Sequence, residues 1–351
     1  MKQYDVGVCI MRAQPFHNGH LHLIEQAMLN TKKVIILLGS ANKASNIKNP
    51  FSFDERAKMI CDTLTHLDGV SGRQDTPEAW INRASVLPLK DFTYNDELWA
   101  QHVQYIVGEN VQPDDKITLI GHTKDESTYY LKMFPQWEYT EVGHNDKLNA
   151  TDIRELLYDQ KTVKYLQGVV PTSVYNYIDN KLATGDLNHL IEEYEFVEKY
   201  KKSWAAAPYA PTFITADSVV IQQGHVLAIR RGANPGKNLL ALPGGFVNQN
   251  EFVKDAAIRE LREETKLKVP DPVLRGSIVA EKMFDAPNRS LRGRTITIAY
   301  LIHLTNVENG LPKVKGSDDA KSAEWIPLGD LKEEDWFEDH FHLIHTMTGL
   351  L

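Results

Sequence analysis

The sequence has few cysteines, no long apolar run and no excess of basic residues. Cys9 and Cys61 are the two cysteines among 351 residues, which argues against a disulfide framework or a cysteine-based zinc site and fits a reducing cytoplasm. The first apolar run, Val6 to Met11, is too short for a signal peptide or a membrane span. The net charge of −8 argues against non-specific binding to nucleic acid, so we expect anionic substrates to bind in local pockets.

The apolar segments of the first half predict a doubly wound α/β domain. Continuous apolar runs of strand length occur at 6–11, 34–38 and 116–120, and segments with helical spacing lie at 21–29 and 53–64. Such alternation is typical of a parallel sheet that is covered on both faces by helices. The pattern fades near Asp186, so we expect a Rossmann-like domain over residues 1–185.

The second half has a different pattern. Residues 187–203 have helical spacing and many Glu, Tyr and Lys residues, and an Ala- and Pro-rich stretch follows, so we predict a connecting helix and linker at 186–205. Strands predicted at 212–221, 226–230 and 294–304, with a helix near 251–265, indicate a mixed α+β domain over 206–351.

A histidine-containing loop follows the first predicted strand. His17 and His20 are three residues apart where this strand gives way to a helix, so both imidazoles can face one anion. The carboxyl edge of a parallel sheet and the N-terminus of a helix are both favourable places for phosphate. Gly19 removes a side chain where a nucleotide would approach the backbone. Paired imidazoles there are suited to stabilising charge on a pyrophosphate leaving group.

The string from Arg12 to His20 resembles the His-x-Gly-His signature of the nucleotidylyltransferase superfamily, in its archaeal-type nicotinamide-mononucleotide (NMN) adenylyltransferase branch. The resemblance implies that His17, His20 and Arg154 hold the phosphates of ATP and act in catalysis. Arg12 and Lys48 would contribute charge to the same site.

Further segments agree with this family in order along the chain. Residues 149–154 resemble its second nucleotide signature, in which Asn149 replaces a serine while Thr151 and Arg154 are kept. The resemblance also implies substrate-binding roles for the following residues: Gly39, Asp91, Asn95, Trp99, Gly121 and Thr151. Asp91, Asn95 and Trp99 would surround the nicotinamide ribotide, with Trp99 stacked on the cationic ring.

A second motif lies in the C-terminal half and carries closely spaced carboxylates. Glu260, Glu263 and Glu264 share one face of the predicted helix, where their mutual repulsion would be offset by a divalent cation, Mg²⁺ or alternatively Mn²⁺. Gly245, followed after five residues by Glu251 and after seven more by Arg259-Glu260, resembles the Nudix box. This box implies metal binding by these three glutamates, with Glu260 and Glu264 acting in catalysis.

Two further features bear on the resemblance to Nudix proteins: one residue that departs from the Nudix box, and one segment outside the box. Lys266 occupies the position of a Nudix-box glycine, at the C-terminal cap of the helix. Residues 284–294 resemble a segment of ADP-ribose-directed Nudix proteins, which implies that Arg289, Arg292 or Arg294 meets phosphate or ribose. The general base stays open among five acidic residues: Glu260, Glu264, Asp318, Asp319 and Glu324. Glu281 is a further candidate metal ligand.

These resemblances together imply a bifunctional enzyme of NAD metabolism. One domain would convert NMN and ATP to NAD and pyrophosphate, and the other would hydrolyse ADP-ribose to AMP and ribose 5-phosphate. Two alternatives stay open: a Nudix domain that senses ADP-ribose or NAD, and an adenylyltransferase for flavin mononucleotide or phosphopantetheine. We expect no nucleic-acid or membrane partner, and the sequence leaves open a homo-oligomer.

Overall fold

The computed structural model describes residues 3–122, 130–143, 150–159, 162–305 and 310–350. The chain divides into two compact units, Met1–Ile191 and Glu192–Leu351. The division falls inside the segment for which the sequence predicts a connecting helix. Within the described ranges, no helix is long and apolar enough to cross a membrane.

The first unit alternates strands with helices, as the apolar pattern predicts. Its strands are Tyr4–Met11 (β1), Thr31–Leu38 (β2), Ala84–Pro88 (β3), Ile117–Gly121 (β4) and Glu138–Glu141 (β5). Its helices are Asn18–Asn30 (α1), Phe53–Val70 (α2), Trp80–Arg83 (α3), Asp96–Gly108 (α4), Ala150–Tyr158 (α5) and Thr172–Thr184 (α6). A 3₁₀ helix, Val163–Gly168, lies between α5 and α6.

The strands of this unit form one parallel sheet in the order β3-β2-β1-β4-β5. The order runs outward in both directions from β1 and β4, so the doubly wound prediction is confirmed. In such a sheet the crevice for a ligand lies at the carboxyl edge, where the strand order reverses. That position is next to the end of β1, where the histidine loop begins.

Helix packing explains why the central strands β1, β2 and β4 of the first unit are largely apolar. Val8 of β1 and Leu37 of β2 are buried, and both belong to a core cluster with Val103 and Val107 of α4. Because helices cover the sheet, polar side chains along these strands would lose hydration without a partner. The chemistry is therefore confined to the loops at the strand ends.

The second unit is a mixed sheet with a central helix. A long helix, Asn188–Lys202 (α7), leads into it from the first unit's range. The strands are Thr212–Gln222 (β6), His225–Arg231 (β7), Leu240–Ala241 (β8), Gly244–Phe246 (β9), Ile278–Phe284 (β10), Arg294–His303 (β11) and Ala320–Pro327 (β12). The helices are Val253–Thr265 (α8), Asp271–Gly276 (α9) and His340–Thr348 (α10), with 3₁₀ turns at Leu328–Asp330 and Glu333–Asp335.

The sheet of this unit runs β10-β11-β6-β7-β12, with β8 beside β7 and β9 beside β6. β6 pairs with β11 in parallel and with β7 and β9 antiparallel, which confirms the α+β prediction. Helix α8 packs Ile258 and Leu261 against Val220 and Leu227 of the sheet. This packing leaves the opposite face of α8, with its glutamates, toward the loop at Gly245.

Candidate functional sites

The histidine loop at the end of β1 is built by backbone capping. His17 is the N-cap of α1, and its Nδ1 accepts the N–H of Gly19 at 3.1 Å. The Nδ1 of His20 accepts the N–H of His17 at 3.4 Å, and the two rings stack with centroids 3.7 Å apart. A neutral imidazole that accepts at Nδ1 carries its proton on Nε2. Both rings therefore present an N–H donor from Nε2.

His20 differs from an ordinary surface histidine in its electrostatics. Burial, followed by the neighbouring His17 and His122, holds the pKa of His20 well below its ordinary value. A neutral ring at physiological pH is consistent with the capping geometry, because protonation at Nδ1 would break the cap. The pair is therefore a set of hydrogen-bond donors, while positive charge at this edge comes from arginines.

Two predicted arginines lie beside the histidine loop. Arg154, in the first turns of α5, donates from Nη1 to the carbonyl of Gln14 at 3.0 Å and from Nη2 to Thr151 Oγ1 at 3.1 Å. Burial and the charge of Arg12 lower the pKa of Arg154. The structure thus gathers Arg12, Arg154 and Thr151 at the edge that carries the histidines. Asn149 lies outside the described residues.

A buried arginine that the sequence analysis did not single out holds this edge together. The Arg56 side chain is fully buried, and its guanidinium donates to the carbonyls of Arg12 at 2.6 Å, Gly39 at 2.8 Å and Ser40 at 3.2 Å. These carbonyls follow β1 and β2, so one guanidinium ties two strand ends together. Gln14 adds a second tie through a two-way amide pair with the Phe51 backbone at 2.8 and 3.1 Å.

The residues predicted around the nicotinamide ribotide each have a structural contact. The Asp91 carboxylate accepts the Ser40 N–H at 3.1 Å and the Ser40 hydroxyl at 2.7 Å, which joins the loops after β2 and β3. Asn95 caps α4 by accepting the Leu98 N–H at 3.0 Å. Trp99, one turn further along α4, is partly buried against aromatic residues of the core. The three residues therefore share one loop and helix start, and their substrate roles stay a prediction.

The remaining predicted residues of this unit sit at strand ends or in an adjoining turn. Gly39 directly follows β2 and donates its N–H to the Met11 carbonyl at 2.9 Å, and Gly121 ends β4. Lys48 lies in a turn that the hydroxyl of Tyr158 joins to α5 by donating to the Ile47 carbonyl at 2.9 Å. The structure thus places Lys48 near the helix that carries Arg154, without testing its contact with phosphate.

Two of the three glutamates of α8 face a cavity of about 430 Å³ in the second unit. Glu260 and Glu264 line this cavity, and the Glu264 carboxylate accepts the Gly244 N–H at 3.0 Å. Burial and the charge of Glu260 raise the pKa of Glu264 to about 8, and burial also raises the pKa of Glu260. A Cβ on Gly245 would lie 2.5 Å from the Glu260 carboxylate, so a side chain at this position would displace that carboxylate.

Arg259 forms ion pairs with three of the glutamates of the Nudix box. Its guanidinium contacts Glu251 at 2.7 Å, Glu260 at 2.7 Å and Glu263 at 3.0 Å. These ion pairs lower the pKa of Glu251 to about 2 and raise that of Arg259 above its ordinary value. In the described residues, no group of three acidic, histidine or cysteine side chains converges as a metal site. Glu260 and Glu263 instead form ion pairs with the guanidinium of Arg259.

The donor set still fits a divalent cation. Glu260 is a partly buried carboxylate and Glu264 a buried one, and burial raises the pKa of both. Oxygen ligands of this kind are preferred by Mg²⁺ and similar cations. The Glu260 carboxylate packs directly against the side-chain-free backbone at Gly245. Glu260, Glu263 and Glu264 are therefore the residues that would hold a cation, and their assignment as ligands stays a prediction.

The three arginines between which the sequence could not choose have different surroundings. Arg289 also lines the cavity, but it is buried and forms a two-bond ion pair with Asp339, at 2.9 and 2.8 Å. Arg294 interacts with Asp285. Arg292 lines the cavity, its guanidinium lies 5.0 Å from the Phe246 ring, and its buried Nε finds no hydrogen-bond partner among the described residues. Of the three, the structure favours Arg292 for an anion.

The sequence analysis missed Arg231, which lines the same cavity. Its Nε donates to the Pro235 carbonyl at 2.8 Å, and burial and the charge of Arg292 lower its pKa. Arg231 ends β7 in an ordinary alternating strand, so no spacing distinguished it. Its position in the fold brings it beside Arg292.

The candidates for a general base are also separated by the fold. Asp318 and Asp319 line the cavity, as Glu260 and Glu264 do. Glu324 instead pairs with Arg230 at 3.1 Å. Glu281, which the sequence offered as a further metal ligand, is exposed on β10. Lys266 adopts a left-handed backbone, with φ +50°, at the C-cap of α8. The lysine therefore takes up the cap conformation that the Nudix-box glycine would adopt.

Comparisons with known proteins give a family for a range of residues in each unit. Residues 12–156 match the cytidylyltransferase-like family, and residues 212–347 match the NUDIX domain. The fold and the sites thus define a nucleotidylyltransferase domain joined to a Nudix domain.

Two solved structures match along the whole chain. One is a bifunctional NMN adenylyltransferase/ADP ribose pyrophosphatase from Francisella tularensis, with 36% identity, TM-score 0.88 and 99% of both chains covered. A structure of the bifunctional enzyme from the same organism, complexed with AMP and Mn ion, is 34% identical with TM-score 0.87 and the same coverage. The chain belongs to this family of bifunctional enzymes.

Curated relatives match each half separately. A nicotinamide/nicotinic acid mononucleotide adenylyltransferase from Acinetobacter baylyi is 34% identical over 201 residues, which are 54% of this chain and 100% of that protein. An ADP-ribose pyrophosphatase from Methanocaldococcus jannaschii is 34% identical over 123 residues, which are 35% of this chain and 66% of that protein. The family predicted for each half from its motifs is confirmed.

Proposed function

We propose that the first unit transfers AMP from ATP to NMN, giving NAD and pyrophosphate, and that the second hydrolyses ADP-ribose to AMP and ribose 5-phosphate with Mg²⁺. The observation that carries this proposal is the full-length similarity to the F. tularensis enzyme. The two activities fit one metabolism, because ADP-ribose is a breakdown product of NAD. The unpaired cysteines, Cys9 and Cys61, fit a reducing cytoplasm.

In the first unit, the residues act by positioning the two substrates and by stabilising the negative charge of the phosphates. The Nε2–H donors of His17 and His20 meet the phosphates of ATP, and Arg154 and Arg12 supply the positive charge that the neutral imidazoles lack. The 5′-phosphate of NMN attacks the α-phosphorus, and pyrophosphate departs toward these donors. Removing one such donor from a pre-organised site typically costs about 10²–10³ in kcat.

In the second unit, the residues hold a diphosphate between opposite charges. Arg292 and Arg231 offer guanidinium groups to the diphosphate, while Glu260, Glu263 and Glu264 would hold Mg²⁺. When bound, Mg²⁺ would neutralise diphosphate charge and activate water. Glu264, with its raised pKa, is positioned by the Gly244 N–H and is one of the groups able to accept a proton from water.

Two substitutions in the full-length protein, one in each unit, test the two proposed activities separately. We expect His20→Ala to reduce NAD synthesis by at least about 10²-fold and to leave ADP-ribose hydrolysis intact, and Glu264→Gln to do the reverse. NAD is measured by an enzymatic cycling assay and AMP release by chromatography, each with and without added Mg²⁺. Loss of both activities in either variant would contradict two independent sites.

The outcomes also separate the alternatives that the sequence left open. ADP-ribose that binds but is not hydrolysed, with Mg²⁺ present, would indicate a sensor domain. Turnover of flavin mononucleotide or phosphopantetheine with ATP, and none of NMN, would remove the first half of the proposal.

A further inference from the structure

The second half of α7 forms one wall of the cavity in the second unit. Phe196 and Tyr200 both line this cavity, and they are four residues apart, so they lie on the same face of the helix. Both residues precede the segment that matches the NUDIX domain, which begins at residue 212. The segment predicted to be only a connector thus contributes side chains to the Nudix cavity.

This wall is held in place by buried contacts. Glu193, one turn before Phe196, is 5% exposed, and its carboxylate accepts the Gly236 N–H at 2.8 Å. That bond joins α7 to the loop that also contacts Arg231. Tyr200 packs against Phe213, with ring centroids 6.0 Å apart. Because both ends of the face are anchored in the second unit, the wall is a fixed part of the cavity.

The charged groups of the cavity leave the aromatic wall without an obvious role in diphosphate binding. Arg231 and Arg292 form no ion pair with the described residues, so they are available for the diphosphate. The glutamates of α8 would hold the cation. The Phe196 side chain is 39% exposed, a large apolar surface for a residue that faces a cavity. A planar base is the part of a nucleoside diphosphate that would cover such a ring.

We infer that Phe196, with Tyr200 beside it, binds the base of the nucleoside diphosphate substrate by stacking. The inference rests on the proposed hydrolase function and adds which end of the substrate meets α7. Stacking of a base on an aromatic side chain contributes about tenfold or more to affinity, and every base has a π face. The affinity for the nucleotide end therefore depends on a helix outside the Nudix match.

The experiment uses the full-length chain with Phe196→Leu, which keeps an apolar side chain but removes the π face, and Phe196→Trp, which keeps a π face. Tyr209→Leu is the control, because Tyr209 is 85% exposed and does not line the cavity. For each protein we measure kcat and KM for ADP-ribose, and the inhibition of that hydrolysis by AMP and by ribose 5-phosphate. Inhibition of hydrolysis reports the second unit alone, even where AMP also binds the first.

We expect Phe196→Leu to raise KM for ADP-ribose and the inhibition constant of AMP by about tenfold, with little effect on ribose 5-phosphate. Tyr209→Leu should stay within about twofold of the parent protein, and Phe196→Trp should bind AMP more tightly than Phe196→Leu. An unchanged AMP constant overturns the inference, as does an equal rise for ribose 5-phosphate, which would indicate a merely structural effect.

Failure of the proposed function has a different signature. If the parent protein does not hydrolyse ADP-ribose, the proposed function fails, and calorimetric titration with AMP in a His20→Ala background tests the inference by itself. Weaker AMP binding in Phe196→Leu but not in Phe196→Trp then supports base stacking on α7. Equal AMP affinities in the two variants overturn it.

Discussion

Replacing Arg289 by methionine tests whether this arginine stabilises the fold or binds substrate. Its two-bond ion pair with Asp339 is nearly inaccessible to solvent, with side chains 3% and 4% exposed. Removing one partner of a buried pair leaves the other charge without compensation and costs about 3–5 kcal/mol. For a unit of this size each kcal/mol corresponds to about 2–4 °C, so we expect the Tm of the second unit to fall by about 6–20 °C.

The measurement is thermal unfolding followed by circular dichroism, with the transition of the second unit assigned by its shift on adding ADP-ribose and Mg²⁺. The double variant Arg289→Met with Asp339→Leu is the matched control, because it removes both charges. We expect it to recover most of the lost stability. An unchanged Tm with a raised KM for ADP-ribose would refute this reasoning and would assign Arg289 to the substrate.

Other predictions concern the cap, the pH dependence and the metal. Lys266→Gly should stabilise the second unit by about 1 kcal/mol in denaturant unfolding, because glycine has no penalty at φ +50°; a destabilised variant would contradict the capping argument. Since the pKa of Glu251 is lowered to about 2, its stabilising effect is complete above the unfolded value near 4.5 and is lost as pH falls toward 2. The stability difference between the parent and Glu251→Gln should therefore shrink below pH 4.5, and a constant difference would speak against it. Chelation of divalent cations should abolish ADP-ribose hydrolysis, with recovery on adding Mg²⁺; hydrolysis that persists would rule out the proposed role of the glutamates.

Local spacing explains most of what the sequence analysis predicted correctly. The continuous apolar runs of β1, β2 and β4 indicated buried parallel strands, because such strands are covered on both faces. The spacing of His17 and His20 placed both at the start of α1, and the Nudix spacing placed Glu260 and Glu264 on one helix. These features extend over a single strand or over one or two helical turns, so residue spacing in the sequence is enough to predict them.

Contacts between distant segments were beyond the sequence analysis. The choice among Arg289, Arg292 and Arg294 depends on carboxylates whose positions are set by the fold, since Asp339 lies 50 residues from Arg289. Arg56 looked like an ordinary helix residue, although it joins two strand ends by donating to their carbonyls. Most arginines are exposed on the surface, so residue type alone does not reveal a buried arginine that joins distant segments.

The sequence by itself determined the class of each domain, the histidine loop and the acidic helix, because periodicity and short spacing encode them. Tertiary structure decided which arginines are available for anions and that α7 contributes Phe196 and Tyr200 to the cavity of the second unit. The physical reason is that burial and charge compensation depend on partners brought together across the chain. No local pattern specifies which partners these are.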